Sequence, residues 1–158
     1  MKEKDFFSEI EHIDIPWGEK KICCPVFFYD VMNYGITLLA PIKKVAAVLP
    51  SKRMKPLRIT PWHCIVSITV LQYRETDIGP YNEVSISIPH TFDDGSPLFT
   101  GILRKVPNVL RIYIHHMPVT TQIALDAGVE FSGFPKFISK IVIKEKEKGS
   151  SLLLTLVK

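Results

Sequence analysis

Lys136 is the residue of this chain best placed by its neighbours to do carbonyl chemistry. It stands in the stretch GVEFSGFPKF (128–137), with Phe131 and Phe134 before it and Phe137 after it. Only an unprotonated amine attacks a carbonyl carbon, and a lysine with a pKa of ~10.4 is neutral in about one molecule in 2,500 at pH 7. Apolar surroundings disfavour the ammonium and lower a lysine's pKa by ~3–5 units when burial is complete. A lowering of ~4 units corresponds to roughly 5.5 kcal/mol of differential interaction. Three rings turned toward the amine would act in that direction. The plainer reading of a lone lysine near a turn is a solvated surface group, and spacing alone favours it.

A second candidate is Glu83. In NEVSISIPHTF (82–92), Val84, Ile86 and Ile88 fall on one face of a strand and Glu83, Ser85 and Ser87 on the other. The usual arrangement turns the polar face to water, and the alternation by itself favours that. In a closed sheet the same face lines a lumen, where a glutamate can do acid–base work.

Cysteine and histidine offer less. The three cysteines, Cys23, Cys24 and Cys64, are odd in number, and two are adjacent, a poor basis for disulfides. Cys23–Cys24 and His115–His116 both fall in strand-like stretches, where neighbouring side chains point to opposite faces. Each pair then offers one ligand to a given site, so no metal is expected.

The elements that must position these residues are mostly strands. Stretches 26–32, 63–74, 82–92, 109–117, 139–148 and 150–158 are rich in β-branched, aromatic or alternating residues. The last two read as a hairpin about Lys148-Gly149-Ser150. Two short helices interrupt them. Ile42, Val45, Ala46 and Leu49 recur at helical spacing after Pro41 and before Pro50. In VTTQIALDAGVE, Thr120 or Thr121 suits the cap and Gly128 a left-handed stop. Segments 51–61 and 93–107 read as connections. The expected architecture is mainly β (α+β): an antiparallel sheet closing into a barrel, with two short helices, as a single domain over residues 1–158.

Composition fits a globular protein: 46% hydrophobic and 23% charged residues, net charge +4, pI near 8.9. No basic run interleaves with aromatics, so no nucleic-acid partner is expected. The charged N-terminus is no signal peptide, and no apolar run is long enough to span a membrane. A cytoplasmic location is the expectation.

These residues together resemble the acetoacetate decarboxylase family. LDAGVEFSGFPK (125–136) looks like that family's signature, in which a helix ends at glycine, a glutamate follows, and an aromatic–Pro–Lys turn closes the motif. YIHHM (113–117) is similar to the strand entering its site, and GPYNEVSISIP (79–89) to the segment carrying its catalytic glutamate, with Tyr-x-Glu spacing kept. DIPWGEK (14–20), FFYDV (27–31) and VAAVLP (45–50) follow in the expected order, so the likeness runs over residues 14–158. It implies a cone-like β-barrel with the active site in its lumen, which moves Glu83 from the solvent side to the interior. It also implies that Lys136 forms the Schiff base, that Glu83 handles protons, and that Met117 packs against the lysine. Phe137, Phe134, Glu130 and His115 would border the substrate pocket. Acetoacetate decarboxylase is itself the standard case of a lysine activated by its surroundings.

Departures from the family pattern bear on the substrate. A second lysine is replaced by Phe137, a second glutamate by Ile68, and the arginine before Glu130 by Val129. The N-terminal site arginine has no clear counterpart, although Lys20 and Lys21 lie nearby. The chain is also shorter than is usual for the family. The resemblance implies a lyase that decarboxylates a 3-oxo acid, or performs related aldol or dehydration chemistry, without cofactor or metal. The alternative is a non-catalytic barrel that binds a small keto acid or other carbonyl ligand. A homo-oligomer is compatible with both.

Overall fold

The computed structural model describes residues 7, 9–18, 20–92, 111–145 and 152–157. Its strands are β1 (Ile13–Trp17), β2 (Lys20–Cys24), β3 (Phe28–Pro41), β4 (Met54–Pro56), β5 (His63–Thr76), β6 (Tyr81–Phe92), β7 (Arg111–Val119), β8 (Lys136–Ile138), β9 (Lys140–Glu145) and β10 (Leu152–Val157). The helices are α1 (Ile42–Val48) and α2 (Gln122–Ser132). The mainly β expectation therefore holds. The six-stranded sheet runs β3-β5-β6-β7-β8, with β4 beside the far end of β6, while β1–β2 and β9–β10 form separate two-stranded pairs. The path is open, with β3 and β8 at its ends.

Several boundaries differ from the sequence reading. β3 continues to Pro41 because Tyr34, Ile36 and Leu38 carry the β-prone run past Met32 and pair with β5. β1, β4 and β8 were not anticipated, since strands of three to five residues leave too short a pattern, while β2 contains the Cys23–Cys24 pair read as strand-like. β4 falls inside the segment read as a connection, 51–61. The β9–β10 hairpin forms as expected, while its tip and the segment 93–107 lie outside the described residues. Among the described residues no helix is long and apolar enough to cross a membrane.

The pairing is antiparallel except for β7 and β8, which run parallel. Parallel neighbours need a crossover, and α2 supplies it. The helix starts after Thr121, whose side chain makes no capping bond, and it does not stop at Gly128. It runs to Ser132 and ends at Gly133, where φ is 64° and the Gly133 and Phe134 amides close on Val129 and Gly128 carbonyls. Glycine has no Cβ to oppose this left-handed turn. Gly128 stays inside the helix, where its missing side chain serves another purpose.

Each face of the central sheet has its own packing. Cys64 and Val70 on β5, with Val84 and Ile88 on β6, form the apolar face. Val45 of α1 and Leu49 at its C-cap cover one end, and Ile141 of β9 covers the other. The opposite face carries Tyr81, Glu83, Ser85 and Ser87, all buried rather than wet. α2 closes part of it through Ala124 on Tyr81 and Val119. Burial of both faces of β6 overturns the solvent-facing reading that alternation alone favoured.

Candidate active site

Register puts the key side chains on that second face. Glu83 lies opposite Val119, and Val119 opposite Ile138. Lys136 lies opposite Met117, which is 5% exposed. Lysine is therefore one row over from glutamate, and its long side chain covers the diagonal. Its Nζ stands 2.8 Å from Glu83 Oε2, with side chains only 7% and 6% exposed. Nζ also donates to the Ala124 carbonyl at 3.2 Å and sits 5.8 Å from the centre of the Tyr81 ring.

Gly128 makes this seat possible. A Cβ at that position would lie 2.3 Å from Lys136 Cε and 2.8 Å from Nζ. One helical turn away, Ala124 turns its carbonyl onto the amine. The family-like Gly-x-Glu spacing thus reflects a groove in α2 through which the lysine runs.

A tyrosine pair borders the carboxylate. Tyr73 and Tyr81 face each other across β5 and β6, with rings stacked at 4.3 Å. Burial and then the Glu83 carboxylate push the Tyr73 phenol up to about 12. Burial, Tyr73 and Glu83 raise Tyr81 as well. Both phenols are therefore protonated donors at neutral pH. Tyr81 was visible in the sequence through its spacing to Glu83, but Tyr73 was missed. Its only signal was a place in VSITVLQY on the same alternate set as Ser67, Thr69 and Leu71.

The three phenylalanines near Lys136 in sequence do not turn toward its amine. Phe131, Phe134 and Phe137 are 51%, 38% and 37% exposed. Phe131 meets Trp17, and Phe137, next to Lys136 on a strand, points to the other face and meets His116. The lysine is desolvated by α2 and the sheet instead. Glu130 is exposed on α2, where its carboxylate accepts from the Trp17 indole.

His115 is also displaced from the pocket. Ile86 pairs with His116 and Ser87 with Ile114, so His115 is the extra residue of a bulge. A bulge suspends alternation, and the rings of His115 and His116 lie side by side at 4.1 Å rather than on opposite faces. That sets the pair on the Phe137 side of the sheet. Burial, then His116, lowers the His115 pKa. Cys23 and Cys24 are half-buried free thiols and Cys64 is buried. Cys23 Sγ lies 2.9 Å from His12 Nδ1, but burial and Asp14 raise its pKa, the wrong direction for a nucleophile.

Lys136, Glu83 and Met117 are thus brought together as expected, with Tyr73, Tyr81, Gly128 and the Ala124 carbonyl added. A buried amine touching one carboxylate, beside protonated phenols, can exchange a proton without bulk water and can add to a carbonyl. Two solved acetoacetate decarboxylase structures share the fold. One has a TM-score of 0.61 and 22% identity, covering 84% of this chain and 46% of its own. The other, from Legionella pneumophila, has a TM-score of 0.62 and 17% identity, covering 84% and 44%. At these identities the likeness is one of fold, and the chain spans less than half the length of either. No curated protein matches by sequence. The acetoacetate decarboxylase (ADC) family model matches residues 16–157, nearly the whole chain, and the protein belongs to that family.

Proposed function

We propose that this protein is a Schiff-base lyase that decarboxylates a 3-oxo acid, with Lys136 as nucleophile and Glu83 as proton carrier. The observation supporting it is the buried contact of 2.8 Å between their charged atoms. Taking two charges from water costs several kcal/mol per ion, and replacing such a pair by apolar residues is often neutral or stabilising. Stability alone is therefore a weak reason to keep it.

In this reading Lys136 gives a proton to Glu83 and the free amine adds to the ketone carbon. The carbinolamine takes that proton on its oxygen, loses water and becomes a protonated imine. The bond to the carboxylate then breaks, carbon dioxide leaves, and the electron pair flows to the imine nitrogen, giving an enamine. A proton returns to carbon, and water hydrolyses the imine to release ketone and amine. A dry pocket favours loss of the carboxylate charge. The chemistry calls for no metal or cofactor.

The sheet is read here as part of the family's cone-like barrel, in a cytoplasmic homo-oligomer. Ile36, Leu38 and Leu39 on the end strand β3 are 47%, 45% and 60% exposed, an apolar edge that association would cover.

Incubation with acetoacetate or pyruvate, borohydride reduction and peptide mapping tests the reading. An adduct on Lys136 is expected, and its absence across several keto acids would sink it. A non-catalytic carbonyl-binding barrel is the second reading, favoured by one observation: the amine is already engaged on two sides, by Glu83 and the Ala124 carbonyl. Ligands that raise the Tm without an adduct would support that alternative.

A further inference from the structure

Two sequence motifs left without a role, DIPWGEK (14–20) and the Glu130 of GVEF (128–131), meet in the fold. Gly18, at φ 60°, turns the chain at the tip of the β1–β2 hairpin and leaves Trp17 beside it. Trp17 reaches the last turn of α2, where its indole N–H donates to the Glu130 carboxylate and its ring lies 5.9 Å from that of Phe131. At the other end of the hairpin the His12 ring packs on Phe27 at 4.4 Å, and the Phe27 amide donates to the Asp77 carboxylate at 2.7 Å. The hairpin therefore spans from the β5–β6 turn to α2. That helix is held unevenly. Ala124, in its first half, is 1% exposed and packs with Tyr81 and Val119 on the sheet. In its last turn Val129 and Phe131 are 42% and 51% exposed. A helix end that buries little apolar surface opens locally at small cost, so the charge-assisted bond from Trp17 weighs most there.

We propose that Trp17 and Glu130 are positioning residues: they latch the last turn of α2 over Lys136, and their release admits a carbonyl compound to the amine. Lys136 runs against this part of the helix, since a Cβ on Gly128 would meet its Cε at 2.3 Å and its Nζ at 2.8 Å. The lysine side chain is 7% exposed, yet a carbonyl carbon must come within bonding distance of Nζ before it can react. Glu130 follows Gly128 by two residues on α2. Lifting that turn uncovers the amine, while Ala124 keeps the first half of the helix on the sheet. Neither residue touches the reacting atoms, and both act through the seat that Gly128 gives the lysine. The admitted carbonyl compound rests on the Schiff-base reading, whereas the latch rests on the contacts of Trp17 alone.

The test pulses the full chain with an amine-acetylating reagent at fixed pH and maps Lys136 against Lys43, an exposed lysine of α1. Trp17→Phe keeps a ring and removes the N–H donor, Glu130→Ala removes the acceptor, and Glu130→Gln retains an acceptor oxygen. Relative labelling of Lys136 should rise about three- to tenfold in the first two, the worth of one net hydrogen bond, and no further when they are combined. Glu130→Gln should stay nearer the wild type. Labelling of Lys136 should also be flat in urea below the unfolding transition, because a lifted turn exposes little surface. Labelling that climbs with urea in step with global unfolding would reveal a merely structural contact and overturns the proposal, as does a Lys136 rate unchanged in both single variants. Additive effects, or Glu130→Gln as fast as Glu130→Ala, would deny the bond its part and overturn it as well. Acetylation forms no imine, so the latch is judged whether or not keto acids are trapped on Lys136. Failure of trapping counts against the Schiff-base reading alone.

Discussion

Gly128→Ala should test how firmly Lys136 is seated. The new methyl carbon would stand 2.3 Å from Cε, 2.5 Å from Cδ and 2.8 Å from Nζ, where ordinary contact begins at 3.4 Å. Cε must retreat by at least the difference, 3.4 − 2.3 = 1.1 Å. Nζ follows, and with it the 2.8 Å contact to Glu83 and the 3.2 Å bond to the Ala124 carbonyl. Two terms oppose each other. Alanine inside a helix is favoured over glycine by about 1 kcal/mol. Breaking a buried pair and leaving its partner charged costs about 3–5 kcal/mol. The net expectation is a loss of about 2–4 kcal/mol in wild type, with Lys136 imine trapping reduced at least tenfold. With Lys136→Ala the obstructing side chain is gone, and the same substitution should stabilise by up to about 1 kcal/mol. Urea unfolding of the four proteins in this cycle should give opposite signs in the two backgrounds. An equal effect in both, or a gain in wild type, would show that the lysine swings aside at little cost and would refute the reasoning.

Three further outcomes are expected. Glu83→Gln should destabilise by about 3–5 kcal/mol in urea, whereas Lys136→Met combined with Glu83→Leu should recover most of that loss. Failure of the double variant to recover would mean that the pair does more for folding than neutralise itself. Gly133→Ala, at φ 64°, should cost about 1 kcal/mol, and Gly133→Asn less; equal costs would count against the left-handed stop as the cause. Tyr73 binds its proton more tightly folded, at about 12, than the ordinary 10.0. The folded state therefore holds more protons than the unfolded between these values. Its stabilisation is intact below pH 10 and lost as pH rises toward 12. Tyr73→Phe should flatten that part of a Tm-against-pH curve, and an unchanged slope would exclude the phenol as its source.

The sequence made the long strands and both helices legible because their patterns span enough residues to repeat. β6 shows the limit of periodicity: alternating Glu83, Val84, Ser85 and Ile86 fixes which side chains share a face, but not what covers that face. Coverage comes from α2 and β9, far along the chain, and no local pattern encodes it. The histidine pair fails for a related reason. One unpaired residue in β7 resets alternation, and HHM carries no mark of it. Gly128 was misread because glycine suits both a helix stop and a close approach, and Gly133 five residues later took the first role.

Lys136 and Glu83 were legible together only through the family motif, and the condition on which the nearby rings could desolvate the lysine, that they turn toward it, is not met. Three phenylalanines nearby in sequence suggested a greasy wall, yet a strand sends Phe137 away from its neighbour, and Phe131 and Phe134 remain exposed. The lysine is instead surrounded by groups that are polar and placed: a carboxylate, a peptide carbonyl and the face of Tyr81. The distinction matters for mechanism. An apolar wall only disfavours charge, whereas a carboxylate at 2.8 Å favours the ammonium and, in the proposed reaction, is the base that would receive its proton. It is positioned to return a proton in a later step as well. Tyr73, held protonated by burial and by Glu83, presents a neutral phenol beside the carboxylate. Phe137, which stands where the family motif has a second lysine, lies on the other face of β8 from Lys136.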